Sequence, residues 1–219
     1  MATKAKTKKI TEDEIIAMYM NYVLEHEAIP KSIYKFCKAN KIEETDFYNH
    51  FGSVETIQKN IWAKFYTNTE DLLHKNKAYE GYSNKDKMLT FFYTFFEILT
   101  LNRSYVLFAL NQENGMLKNL KQLKGLQMHI KSFAADLIED GNADKSFRIS
   151  KHNPKLFSEG AWLQMLFVLK FWIGDDSPGF EKTDMAIEKS ITTTFDVFDN
   201  TPLDNIIDFG KFLFKEKMA

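Results

Sequence analysis

The sequence predicts an all-α chain, and three observations carry that prediction. Nearly every long segment repeats its apolar residues with helical period, and no run alternates in the way a half-buried strand requires. Apolar residues make up 44% of the 219 residues, with 20 phenylalanines, which is ample for a core of packed helices. Helix-start signals stand directly before the periodic runs, at Thr11 with Glu14 and at Ser53.

The elements follow in order. Residues 1–10 read as a short flexible basic arm carrying Lys4, Lys6, Lys8 and Lys9. Thr11 and Glu14 form a capping box for a first helix whose inner stripe is Ile15, Ile16, Tyr19, Tyr22 and Val23. Pro30 is expected at the start of the second helix, where a missing N–H costs little, with Ile33, Phe36 and Cys37 as its apolar face. Ile42 is expected to open a third helix continued by Phe47, Tyr48 and Phe51. Ser53 can cap a long fourth helix bearing Val54, Ile57, Ile61, Trp62, Phe65, Leu72 and Leu73. The polar stretch 76–87 is read as the seam between two parts.

Beyond the seam, residues 88–99 are apolar almost all round, which predicts a buried helix. Further helices are expected at 103–112 and 116–140, a polar loop from Gly141 to Pro154, and another all-round apolar segment at 161–173. That segment's apolar run of 13 residues, interrupted by Gln164 and Lys170, is short of the roughly 20 that span a bilayer. A helix near 180–199 shows Phe180, Ile187, Ile191, Phe195 and Phe198, and a last one at 203–217 sets Lys211, Lys215 and Lys217 beside an apolar stripe.

Composition bounds the function. The net charge is −1, so the chain as a whole is not drawn to polyanions. Cys37 is the single cysteine, which excludes an internal disulfide and fits a reducing compartment; its register places it inward as a small core thiol. The basic N-terminus lacks the apolar region of a secretory signal, so a cytoplasmic location is expected. The five histidines show no metal-ligand spacing, and there is neither a phosphate-cradling glycine loop nor a nucleophile elbow. No enzymatic activity, metal or cofactor is expected.

Residues 31–57, KSIYKFCKANKIEETDFYNHFGSVETI, read as two short helices joined by a tight turn and running into a third. The segment resembles the DNA-binding region of TetR-type transcriptional repressors. The likeness covers residues 12–65, and its register is set by Phe47, Tyr48, His50 and Phe51, followed by Ser53 and Glu55. Beyond that region it is one of architecture. The resemblance implies a helix-turn-helix DNA-binding domain at 11–52, a connecting helix at 53–76 and a helical ligand-binding and dimerisation domain at 77–219. It places Glu43, Glu44, Thr45 and Asp46 on the exposed first turn of the recognition helix. Tyr48 and His50 fall at phosphate-contacting positions, and Ser32 at the start of the supporting helix. Lys41 stands where the family usually has the turn glycine, Glu43 where it has a Ser or Thr cap, and Val54 where it often has a Lys. The same resemblance implies a homodimer built on 156–173 and 180–198, against which stands a central helix of a monomeric bundle.

Two readings of the N-terminal part stay open. Residues 12–51 hold eight carboxylates against four lysines, a balance of −4, and neither arginine (Arg103, Arg148) lies there, so bidentate guanine recognition is absent. Either the domain still reads operator DNA, with Lys8, Lys9 and the rest of the arm supplying the attraction to phosphate, or Glu43, Glu44 and Asp46 are helix starters on a face that no longer meets DNA. In the second case the protein handles a lipid or a partner, and the terminal amphipathic segment suits a membrane surface. For an effector, Phe92, Phe95, Phe96, Tyr105, Phe108, Trp162, Met165 and Phe167 are the candidate lining, favouring an apolar small molecule. Glu97, Gln112 and Gln164 are the polar groups that could orient it.

Overall fold

The computed structural model describes residues 9–111, 120–143 and 153–200. Lys8, Gln112, the side chain of Phe198 and the segment expected as a last helix at 203–217 lie outside them. Among the described residues there are nine α-helices, three 3-10 turns and no strand.

Helix α1 (Glu12–His26) begins as the capping box requires: the Glu14 N–H donates to Thr11 Oγ1 at 3.2 Å and the Thr11 N–H to Glu14 Oε2 at 2.8 Å. Helix α2 (Ile33–Asn40) is capped by Ser32, whose Oγ accepts the Lys35 N–H. Pro30 therefore does not start that helix. It is buried two residues before the cap, because the first side chain able to accept an orphan N–H is Ser32. Lys41 ends α2 in the left-handed conformation, φ 57°, and the Ile42 N–H closes back on the Cys37 carbonyl. Ile42 is thus a turn residue. Helix α3 (Glu44–Tyr48) starts after it, from a Glu43 that makes no side-chain cap.

Helix α4 (Val54–Lys75) starts at Ser53, whose Oγ accepts the Thr56 N–H. Its buried stripe is Ile57, Ile61, Phe65, Thr69 and Leu73, a strict i+4 repeat. Leu72 falls on the neighbouring face and is half exposed. Helices α5 (Asn84–Leu101) and α6 (Arg103–Leu110) follow, then a 3-10 turn (Leu120–Leu123) and α7 (Lys124–Ala143). The α-helix expected from 116 begins only at Lys124 among the described residues, and it runs three residues into the segment expected as loop. Helix α8 (Pro154–Ile173) is capped by Asn153, and α9 (Glu181–Asn200) follows a tight corner. Phe180 lies in that corner at φ 61° instead of on the α9 stripe.

The chain divides into two compact units, 1–68 with 97–126, and 69–96 with 127–219. In the first, an aromatic knot ties α1, α2 and α3: Phe36 packs edge-on against Tyr19 and Phe47, at centroid distances of 6.1 and 5.8 Å, and Phe47 meets Phe51 at 5.7 Å. In the same unit Gln122 accepts the Trp62 Nε1–H at 3.0 Å and donates to the Ala109 carbonyl at 2.8 Å, satisfying a buried indole.

The second unit holds the first part of α5, where Met88, Phe91, Phe92, Phe95 and Phe96 are buried; the 88–99 stretch is not buried all round as expected, since Tyr93 is 36% exposed and Glu97 is exposed on the opposite face. Phe91 stacks on Phe133 of α7 at 4.5 Å, and Phe96 meets Trp172 of α8 at 6.3 Å. Helix α8 is 20 residues long, not 13. It is the one described helix long and apolar enough to cross a membrane, yet half of it is buried within the protein, as a core helix would be. Gln164, inside it, is buried and donates to Ser190 Oγ of α9 at 3.0 Å. The polar stretch 76–87 carries the buried Tyr79 in a 3-10 turn (Tyr79–Gly81).

Candidate nucleic-acid interface

The residues expected to read DNA lie on α2, α3 and the turns around them. The knot buries Phe36, Cys37 and Phe47, so the opposite face of α3 is what solvent meets. There Thr45 and Tyr48 are exposed, Tyr48 to 53%, and Glu44 and Asp46 are half-buried beside an exposed Glu43. Lys41 and Ser32 are exposed on the flanking turn and cap. Tyr34 of α2 is also exposed, with the Lys38 ammonium 5.9 Å from its ring centre. Behind this face, burial first and then the carboxylates of Glu44, Asp46 and Glu43 push the Cys37 thiol up to about 11. Cys37 is an inert core thiol, and three negative charges, Glu43 at the cap and Glu44 and Asp46 in the first turn, gather at the start of α3.

A groove of about 370 Å³ opens beside this face, lined by Pro30, Lys31, Ser32, Ser53, Glu55 and Gln58 among others. The N-termini of α2 and α4 both reach it, and helix N-termini favour an anion there. Glu55 already supplies one. Its carboxyl is held below the ordinary value by hydrogen bonding with the Ser53 side chain, then by a backbone N–H and by Lys59. Gln58 runs inward from the groove and donates to the Tyr19 hydroxyl at 3.0 Å. Burial pushes that phenol up to about 12.

His50 is not left open on the surface. Its Nε2–H donates to the Ile10 carbonyl at 3.1 Å, a contact across 40 residues of sequence that ties the end of the arm to the residues just after α3. Lys9, next along the chain, is exposed. Nothing in the sequence pattern signals this contact, because both partners look like ordinary members of other features.

The residues expected to line an effector site are not brought together as one set. Phe92, Phe95, Phe96, Trp162 and Met165 are buried in the second unit, whereas Tyr105 and Phe108 belong to the first. Phe167 is 55% exposed and lines no interior. Its position on α8, opposite the buried stripe Phe157, Ala161, Met165, Val168 and Trp172, turns it outward. Glu97 is exposed on α5, and Gln164 is committed to Ser190. Tyr105 is 2% exposed, and its hydroxyl has no hydrogen-bond partner among the described residues. A buried hydroxyl without a partner is costly, so this one has bonding capacity to offer.

Leu163, Phe167 and Phe171 form an outward stripe on α8, at four-residue intervals and 66%, 55% and 38% exposed; Met185 of α9 is 51% exposed. The corner joining α8 to α9 is fixed by Asp175. Its Oδ1 accepts from the Ser177 N–H (2.9 Å) and hydroxyl (2.6 Å), and its Oδ2 from the Thr183 N–H (2.8 Å) and hydroxyl (2.6 Å). Burial works against ionisation here, but these donors outweigh it and hold the carboxyl well below the usual range. Among the described residues no group of three or more His, Cys, Asp and Glu is placed to hold a metal ion.

Residues 87–213, more than half of the chain, match the tetracyclin repressor-like, C-terminal domain family. The chain belongs to that family, and its all-α architecture is that of a TetR-like regulator. No curated protein matches the chain.

Proposed function

We propose that the protein is a TetR-like transcriptional repressor that binds operator DNA as a homodimer in the cytoplasm and is released by an apolar small molecule. The domain at 11–52 reads DNA, α4 connects, and the domain at 77–219 binds the effector and dimerises, without enzymatic activity. Family membership supports the regulator. The observation that carries DNA binding is the α2–turn–α3 arrangement: a short helix packed through Phe47 on Phe36 presents Thr45 and Tyr48 outward. Two helix N-termini then open on one groove beside it. A helix held in this way can enter a major groove while its neighbours grip phosphates.

The outward stripe Leu163, Phe167 and Phe171 supports dimerisation, since an apolar row at this spacing is what a second helix pair covers. Two recognition helices must then stand about one duplex turn apart. An effector that favours another spacing shifts the population away from DNA. The buried apolar side chains Phe92, Phe95, Phe96, Trp162 and Met165 of the second unit favour an apolar effector.

Selection of fragments from genomic DNA by the purified protein, at low and moderate salt, tests the proposal. Enrichment of a near-palindromic site supports it. A folded dimer that enriches nothing favours the second reading, a TetR-fold protein that binds a lipid or a partner. The specific observations behind that reading are the carboxylates of Glu43, Glu44 and Asp46 at α3 and of Glu55 in the groove.

A further inference from the structure

We infer that the cationic face of α2, and not the recognition helix, is the surface that grips the phosphates of a DNA duplex. The inference rests on the DNA-binding reading and assigns the affinity within it to residues outside α3. The balance of −4 over residues 12–51 conceals a separation of charge. The eight carboxylates stand at the two ends of α1 and at the start of α3, whereas all four lysines lie on α2 or directly beside it. Lys35 and Lys38, three residues apart, share the helix face opposite the buried Phe36 and Cys37. Lys31 precedes the cap and lines the groove at the N-termini of α2 and α4. Lys41 ends the helix, so the row runs the length of α2, about 12 Å at 1.5 Å per residue. All four side chains are exposed.

None of the four forms an ion pair among the described residues, although eight carboxylates belong to the same domain. Three lysines elsewhere are paired: Lys64 with Asp13 at 2.8 Å, Lys131 with Glu159 at 2.7 Å and Lys182 with Asp176 at 2.9 Å. Lys38 rests instead over the exposed ring of Tyr34, which holds its charge on the outer face. An unpaired ammonium reaches a phosphate without first leaving a carboxylate. Charges beyond a Debye length, about 10 Å at 0.1 M salt, are screened, so a phosphate at α2 meets these lysines and not the sum over the domain. Helix α3 offers Glu43, Glu44 and Asp46 at its start and no lysine or arginine. It can accept from base amino groups but cannot neutralise phosphate. Affinity and sequence preference therefore fall on different helices.

The test measures binding of the full chain to a random-sequence duplex of about 30 base pairs by fluorescence anisotropy, from about 50 to 200 mM salt. The variant carries Lys31→Gln, Lys35→Gln and Lys38→Gln. A control of equal net charge carries Lys75→Gln, Lys77→Gln and Lys155→Gln, at exposed lysines of the second unit. Glutamine forms helix about as well as lysine, and Lys35→Gln alone serves should the triple variant lose its helical circular dichroism. The expected result for the α2 variant is at least about tenfold weaker binding near 50 mM salt. Its salt slope should be lower by about 2 to 3 per subunit, at about 0.9 per phosphate. Lys35→Gln alone should lower the slope by about 1, and the control should stay within about twofold of native. A native protein that binds the duplex while the α2 variant keeps its affinity and slope overturns the inference alone and leaves the DNA-binding reading standing. Equal losses in variant and control overturn it too, because net charge and not the α2 face then sets the affinity. A native protein that binds no duplex at low salt overturns both.

Discussion

Asp175→Asn is the perturbation whose consequence the structure defines most sharply. The native carboxylate is buried and takes four donors, two from Ser177 and two from Thr183, at 2.6–2.9 Å. An asparagine puts an NH2 where one oxygen stood, facing a backbone N–H that cannot turn away. The hydroxyl on that side can rotate to accept, so one bond is lost outright and the others become neutral. Hydrogen bonds to a charged group contribute about 1.5–3 kcal/mol each and neutral ones about 1. The bonds alone would lose about 3–9 kcal/mol, and removing the cost of burying a charge returns several of these. The net loss is roughly 2–4 kcal/mol, or a fall in Tm of roughly 5–15 °C at about 2–4 °C per kcal/mol for a chain of this size. Thermal melts followed by circular dichroism at pH 7 measure it. The pH dependence follows from the depressed folded pKa: the contribution is complete above the unfolded value of about 4 and is lost as pH falls through the lower folded value. The gap between native and variant should therefore be full at pH 5–7 and narrow below about pH 4. A variant melting within 1 °C of native at pH 7, or a gap that widens in acid, refutes the reasoning.

Other perturbations test the remaining parts. Leu163→Glu with Phe167→Glu, both on the outward stripe of α8, should give a folded monomer by light scattering; a dimer of unchanged mass removes that face from the interface. Gln122→Ala strips the partner from both the Trp62 indole and the Ala109 carbonyl. It should destabilise by about 2–3 kcal/mol in urea unfolding, and an unchanged midpoint would show that the bridge adds nothing. Glu55→Gln removes the carboxylate from the groove at the N-termini of α2 and α4. Duplex binding should strengthen about two- to fivefold at low salt; equal affinities would place phosphates elsewhere.

Local chemistry was legible in the sequence wherever one element carried its own signal. Thr11 with Glu14, the i+4 row from Ile57 to Leu73 and the all-round apolarity of 88–99 each determine a helix without reference to the rest. Boundaries were less legible where two signals competed. Pro30 is a good first helical residue, but Ser32 accepts the orphan N–H and wins the cap. The 13-residue apolar run in α8 understated a 20-residue helix because Asn153 caps it across polar Lys155 and Glu159. Contacts between distant residues left no local trace. The His50–Ile10, Gln58–Tyr19 and Trp62–Gln122 bonds join positions 39 to 60 apart, and no partner, whether the Ile10 carbonyl or a side chain, signals its mate in the sequence. The effector lining was the least legible, since an apolar residue on α8 reads the same whether it faces inward like Met165 or outward like Phe167.

Lys41 brings backbone strain and charge into direct opposition. It sits at φ 57°, ψ 39°, where a residue with a Cβ costs about 1–2 kcal/mol relative to its preferred conformation, and glycine costs nothing locally. Glycine loses more freedom on folding, by about 0.5–1 kcal/mol, so Lys41→Gly should stabilise the domain by up to about 1 kcal/mol. The side chain that incurs this strain is exposed and carries an ammonium two residues before Glu43 in the sequence. In a domain with eight carboxylates and four lysines, a cation in the turn ahead of the recognition helix favours phosphate over the surrounding acids. Lys41→Gly and Lys41→Ala should therefore weaken duplex binding equally, about two- to fourfold, while only the glycine variant melts at or above the native temperature. If Lys41→Gly lowers stability, the left-handed turn is not strained. If neither variant loses affinity, the charge at position 41 has no part in binding DNA.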